Sequence, residues 1–148
     1  MATTFTNLLY HIVFSTKNRA PIIHAGWRDR LHAYLGGIVR TMDGIPIVAG
    51  GVQDHVHLLA TLKPVHCLSD VLRDLKKSTS VWVHNEIKER SFAWQEGYGA
   101  FTVSRSNLPT VRRYIERQEE HHRRRSFQEE YVELLRKHGV EFDERYLW

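Results

Sequence analysis

The 148-residue sequence predicts an α+β, ferredoxin-like (RRM-like) fold: an antiparallel sheet with helices on one face and an appended C-terminal helical tail. Three observations carry this expectation. Apolar residues switch between strand and helix periodicity in βαββαβ order up to about Ser104. The second and third strand segments lie close enough to pair as a hairpin, and beyond Ser104 the composition becomes helical and rich in arginine. One domain is expected over 1–148, with 1–104 as the ferredoxin-like core and 105–148 as the tail.

The first strand is Leu8 to Ser15, which places Tyr10, Ile12 and Phe14 on one face. From Ala25 to Thr41, Trp27, Leu31, Tyr34, Leu35, Ile38 and Val39 recur at helical spacing, and Asp43-Gly44 stops the helix. Ile45 to Val52 is a strand leading through glycines into a third that carries His55 and His57. A second helix begins near Ser69-Asp70, burying Leu68, Val71, Leu72, Leu75, Trp82 and Val83. Its other side carries Arg73, Lys76, Lys77, Ser80 and His84. Phe92 to Val103, aromatic and broken by glycines, is expected as one kinked strand. In the tail one helix runs from Ser106 to about His122 and another from Phe127 to His138, ending at Gly139, with a hinge at Ser104 to Asn107.

Composition excludes several classes. A hydrophobic fraction of 42% and a charged fraction of 26% are those of an ordered globular chain. The single cysteine, Cys67, rules out an intrachain disulfide and a cysteine-based zinc site, and it reads as a small residue at a helix start. The N-terminus lacks a basic leader and no apolar run approaches the roughly 18 residues that span a bilayer, so a soluble cytoplasmic protein is expected. The net charge of +4 is modest, but six arginines fall between Arg112 and Arg125 against three glutamates, with His121 and His122 inside the cluster. Such a run is either a solvated helix face or a surface for an anionic partner.

The chemistry-bearing feature is His55-Val56-His57. Side chains two apart on a strand share a face, so both imidazoles point one way and Val56 points into the core. Tyr114 and Gln118 lie four residues apart on a predicted helix, placing a nucleophile one turn from a neutral amide oxygen. Two imidazoles and one amide oxygen suit Mg2+ or Mn2+ and tolerate zinc. A phenol needs a nearby cation or base to act as a nucleophile at neutral pH. The bland alternatives are a hairpin with two polar histidines and a tyrosine packed beside Val111 and Ile115. His121 and His122 read as surface or DNA-contacting residues, and Asp54, on the face opposite His55, as structural. Tyr131 and Tyr146 are rival nucleophiles without a glutamine four residues on.

Gln53 to Leu59, Trp94 to Ser104 and Tyr114 to His122 occur together in an order that closely resembles the single-tyrosine HUH transposases of small insertion sequences, relatives of the REP-associated tyrosine transposases. The resemblance covers nearly the whole chain. It implies that His55 and His57 are the HUH pair and Gln118 the third ligand of a divalent metal, Mg2+ or Mn2+. It implies that Tyr114 attacks single-stranded DNA at hairpin-bearing element ends, leaving a 5′-phosphotyrosine link and a free 3′-hydroxyl that later rejoins the strands. A homodimer is also implied, in which one subunit's tail helix delivers Tyr114 to the other's histidine pair. Arg73, Lys76, Lys77, Arg123, Arg124 and Arg125 are expected to contact the DNA backbone. The alternatives are a domesticated relative that processes chromosomal hairpin repeats, a noncatalytic nucleic-acid-binding module on the same sheet, and a metal-dependent hydrolase that uses water.

Overall fold

Alternation along β1 (Leu8–Ser15) organises the molecule, because both faces of this strand are buried. Ile12 and Phe14 point to one side, whereas Leu9, His11 and Val13 point to the other. The computed structural model describes residues 3–148. In it β1 pairs antiparallel with β3 (His55–Leu62) and β4 (Gly99–Thr102), and β3 pairs with β2 (Ile45–Gly51), giving the order β2-β3-β1-β4. This is the sheet of a ferredoxin-like fold. Pro46, which has no N–H to donate, sits on the edge strand β2 beside a register shift at Pro46/Val48.

Helices α1 (Ala25–Thr41) and α2 (Leu68–Trp82) cover the first face. Leu31, Leu35, Leu72 and Leu75 meet Ile12, Phe14, Val56 and Leu58 in the main core. The second face, which the expected helices on one face would leave open, is covered by the tail. Its helices are α3 (Leu108–Glu116), the short α4 (Gln118–His121) and α5 (Phe127–Lys137). Ile115 packs with Leu9, Leu59 and Val103, while Phe127, Tyr131 and Leu135 pack with Val13 and Phe101. The physical reason lies in β1 and β3, which are apolar on both faces and therefore need a layer on each side.

Two further expectations are corrected. The kinked strand over 92–103 shortens to Gly99–Thr102, with an isolated bridge between Thr16 and Trp94. The chain bends away because the Lys76 ammonium donates to the carbonyls of Gln95, Glu96 and Gly97, at 2.9, 3.1 and 2.6 Å. The helix expected from Ser106 to His122 is interrupted at Arg117 (φ −104°, ψ 26°), separating α3 from α4. Close approach at Gly50 seats α3 on β2: a Cβ there would lie 2.3 Å from the Ile115 carbonyl oxygen. Among the described residues no helix is long and apolar enough to cross a membrane.

Candidate active site

His55 and His57 lie on the tail-facing side of β3, and both are fully buried. The turn before β3 is made by Gly51, whose φ of +150° and 2.2 Å from a notional Cβ to the His55 carbonyl oxygen only glycine tolerates. Each ring is oriented through Nδ1. His55 Nδ1 lies 2.7 Å from Asp54 Oδ1, and His57 Nδ1 lies 2.8 Å from Nε2 of His11 on β1. Both Nε2 atoms are thereby aimed inward, as when a ligating histidine is held by a partner on its other nitrogen. Asp54 therefore orients His55 rather than serving only the turn.

The tail brings four more groups to the same place. Gln118, 1% exposed, sets Oε1 3.0 Å from His55 Nε2. His122, just beyond α4, sets Nε2 3.0 Å from the same Gln118 oxygen. Glu130 on α5 is wholly buried, with Oε1 2.9 Å from His57 Nε2, 3.3 Å from His55 Nε2 and 3.2 Å from His122 Nε2. Its Oε2 accepts hydrogen bonds from the Tyr114 hydroxyl and, at 3.1 Å, from the Gln118 amide. Tyr114 is half-buried; its ring packs near the Val111 and Ile115 cluster while its hydroxyl enters the site. The nucleophile candidate and the histidine pair thus meet within one chain.

Electrostatics follow from this crowding. Burial disfavours the charged carboxylate of Glu130, but the imidazoles of His57, His122 and His55 outweigh burial and hold it far below the usual carboxylate range. Burial opposes charge on His55 too, but hydrogen bonds to Asp54 and Glu130 overcome it and push its pKa up to about 9. Burial lowers His57, and it lowers His11 well below the ordinary value with help from His57. Burial first, then the Glu130 charge, raises the Tyr114 phenol. The phenol stays protonated until a cation changes this balance.

Sequence reasoning missed Glu130 and His11, and it assigned His122 to the surface. Signals for two of them were present. Phe127, Glu130, Tyr131, Leu134 and Leu135 form the inward stripe of α5, so a carboxylate stands where an apolar residue belongs. Tyr114, Gln118 and His122 follow one another at four-residue spacing. His11 gives itself away only through pairing: Val13 lies opposite His57 and His11 opposite Leu59, one step along the same face.

The basic residues are more dispersed. Lys76 spends its three donors on backbone carbonyls, so it is a strap for 95–97 rather than a phosphate contact. Arg73 lies 3.1 Å from Asp70 and 3.5 Å from Asp74, and Arg125 pairs with Glu133. Lys77, Arg123 and Arg124 are exposed. A cleft of about 470 Å³ opens beside Tyr114, lined in part by Ser104, Asn107, Thr110, Arg125 and Lys137.

The order of these features along the chain matches a known family. The model for IS200-like transposases matches residues 4–118, a span that runs from just before β1 through both histidines, Tyr114 and Gln118. The chain belongs to the IS200-like transposase family. The ISDra2 transposase TnpA of Deinococcus radiodurans is 27% identical over 118 residues, covering 75% of this chain and 84% of the relative. The transposase of insertion sequence IS200 from Salmonella typhimurium is 26% identical over 124 residues, covering 80% and 81%. Among solved structures, a suspected transposase from Deinococcus radiodurans superposes with a TM-score of 0.66 at 23% identity, covering 80% of this chain and 95% of that one. A REP-associated tyrosine transposase bound to a REP hairpin superposes with a TM-score of 0.61 at 14% identity, covering 82% and 72%. Both confirm the fold. Membership in the family implies DNA cleavage and strand transfer.

Proposed function

We propose that this family member cuts and rejoins single-stranded DNA at hairpin-bearing ends, with Tyr114 as nucleophile and His55, His57 and Gln118 as ligands of Mg2+ or Mn2+. The observation that carries the reading is the shared contact at Glu130: the Tyr114 hydroxyl and the Nε2 atoms of both strand histidines touch one carboxylate. The donor set fits a divalent metal, since Asp54 holds His55 through Nδ1 and turns its Nε2 inward next to two oxygens, where a metal would take the place of a ring proton. When bound, the metal supplies positive charge that favours the phenolate and offsets the charge of a phosphodiester.

In the proposed step the Tyr114 oxygen bonds to phosphorus while the bond to the 3′ oxygen breaks. The phenol loses its proton and the departing 3′ oxygen gains one, so the DNA is left with a 3′-hydroxyl and a 5′-phosphotyrosine link. Rejoining runs the same exchange backward with a new 3′-hydroxyl, and the covalent link keeps the bond energy. The cleft beside Tyr114 is within the roughly 300–1,000 Å³ of small-ligand sites, which suits a nucleotide next to the scissile bond. Arg123, Arg124, Lys77, Arg73 and Arg125 are assigned to the DNA backbone.

The test uses single-stranded hairpin DNA from the gene's own flanks with Mg2+ or Mn2+, resolved on a denaturing gel. A metal-dependent covalent adduct that disappears in His57→Ala is expected. Tight binding without an adduct would favour a noncatalytic module, and metal-dependent cutting without an adduct would favour a water-using hydrolase.

Assembly is a separate matter. The resemblance implies a homodimer that exchanges its tail helices, yet Tyr114 here reaches the histidines of its own β3. We assign each chain a complete site, with any exchange requiring the 104–107 segment to swing out. Mixing Tyr114→Phe with His57→Ala protein is expected to leave cleavage absent. Recovery of activity in the mixture would establish sites shared between subunits.

A further inference from the structure

We infer that His122 and Glu130 are also ligands, so that the metal is held by an anionic set of three imidazole nitrogens and two oxygens rather than by the neutral set of His55, His57 and Gln118. The inference rests on the metal reading proposed above and specifies the chemistry of its site.

Donor atoms from five side chains point to one place. His55 Nδ1 faces Asp54 Oδ1 at 2.7 Å and His122 Nδ1 faces the Arg125 carbonyl at 2.9 Å. Both partners are acceptors, so each ring is held through Nδ1 and turns its Nε2 into the site. Both Nε2 atoms face oxygens. Gln118 Oε1 lies 3.0 Å from each of the two Nε2 atoms, and Glu130 Oε1 lies 3.3 and 3.2 Å from them. The amide cannot turn to donate, because its NH2 group already reaches Glu130 Oε2. Nitrogen and oxygen atoms of four side chains thus converge in a dry interior, where one cation can satisfy them together.

The Nε2 atoms of His55, His57 and His122 all aim at the single oxygen Oε1 of Glu130, at 3.3, 2.9 and 3.2 Å. A metal ion fits this convergence. Donors bound at about 2.1 Å in an octahedral shell are separated by roughly 3 Å along each edge. Five of the spacings among these donors run from 2.9 to 3.3 Å, three of them to Glu130 Oε1 and two to Gln118 Oε1. His55, His122 and Glu130 also bring their ligating atoms within 4.8 Å of one another. Three nitrogens and a carboxylate select Mn2+ or another transition ion over Mg2+, whose preference is for oxygen.

The test is calorimetric titration of the metal-free full chain with MnCl2, with the free Mn2+ signal in electron paramagnetic resonance as a second readout. Wild type is compared with His57→Ala, Glu130→Gln and His122→Ala, each checked for native circular dichroism. Glu130→Gln keeps the side chain's shape and can still meet Tyr114, so a loss of affinity reports the charge. At least a tenfold weakening of Mn2+ binding is expected in both Glu130→Gln and His122→Ala. If both bind as tightly as wild type while His57→Ala does not, the five-donor set is wrong and the three-ligand site stands. If wild type binds no metal, or His57→Ala binds as well as wild type, the metal reading itself fails and this inference with it.

Discussion

Tyr114→Phe is expected to lower strand cleavage by at least roughly 10³-fold, the scale on which a covalent catalyst loses rate without its nucleophile. The fold should survive. Phenylalanine keeps the ring beside Val111 and Ile115, and Glu130 retains its contacts with the imidazoles and Gln118. One hydrogen bond to a charged group is lost, worth about 1.5–3 kcal/mol when fully buried and less at this half-buried hydroxyl. Cleavage of labelled hairpin DNA, measured beside a thermal melt and a gel shift, separates lost chemistry from lost structure. Undiminished cleavage would move the nucleophile elsewhere. The rival tyrosines have little to offer: Tyr131 is 5% exposed between Phe127 and Trp148, and Tyr146 is 80% exposed with its ring beside Arg145.

Gly50→Ala is expected to cost about 1–3 kcal/mol or more, since overpacking meets backbone rather than a pliable side chain. The added methyl would stand 2.3 Å from the Ile115 carbonyl oxygen and 2.9 Å from its Cγ2. Relief requires α3 to lift from β2, and α3 carries Tyr114, the residue before Ile115. Stability and cleavage should therefore fall together. Gly37→Ala on α1 is the control. It has nothing within 4 Å of the new methyl, so it should match or exceed wild type by up to about 1 kcal/mol. Equal denaturation midpoints for Gly50→Ala and wild type would show that the tail does not seat on the sheet in this way.

Much of the core was legible because its elements are local and periodic. β1 and α1 have the bounds that alternation and helical spacing predict, and the hairpin of β2 and β3 forms with both histidines on one face. What periodicity could not supply was the partner of each second face. Leu9, Val13 and Leu59 are apolar on the side away from α1 and α2, so the tail had to cover them, yet nothing local says where a distant helix docks. The shortened β4 depends on Lys76 reaching three carbonyls some twenty residues away in sequence, which no window of neighbouring residues contains.

The site divides the same way. His55, His57, Tyr114 and Gln118 stood out through spacing, and the structure brings all four together. Glu130 belongs to a helix for which the sequence reading set bounds but no buried face, and its role emerges once α5 lies across the histidines. His122 was discounted because it sits beside a run of arginines, although its four-residue offset from Gln118 turns it inward. His11 could be found only after β1 and β3 were paired in register.

The central claim is that a tyrosine of the tail, set against the strand histidines, becomes joined to DNA. The most direct measurement is tandem mass spectrometry of the covalent adduct after proteolysis and nuclease trimming, formed with Mn2+ on single-stranded hairpin DNA. The account predicts a peptide spanning Tyr114 that carries a nucleotide through its 5′ phosphate on that phenol. A nucleotide found on Tyr131, Tyr146 or any other residue, or linked through a 3′ phosphate, would contradict it.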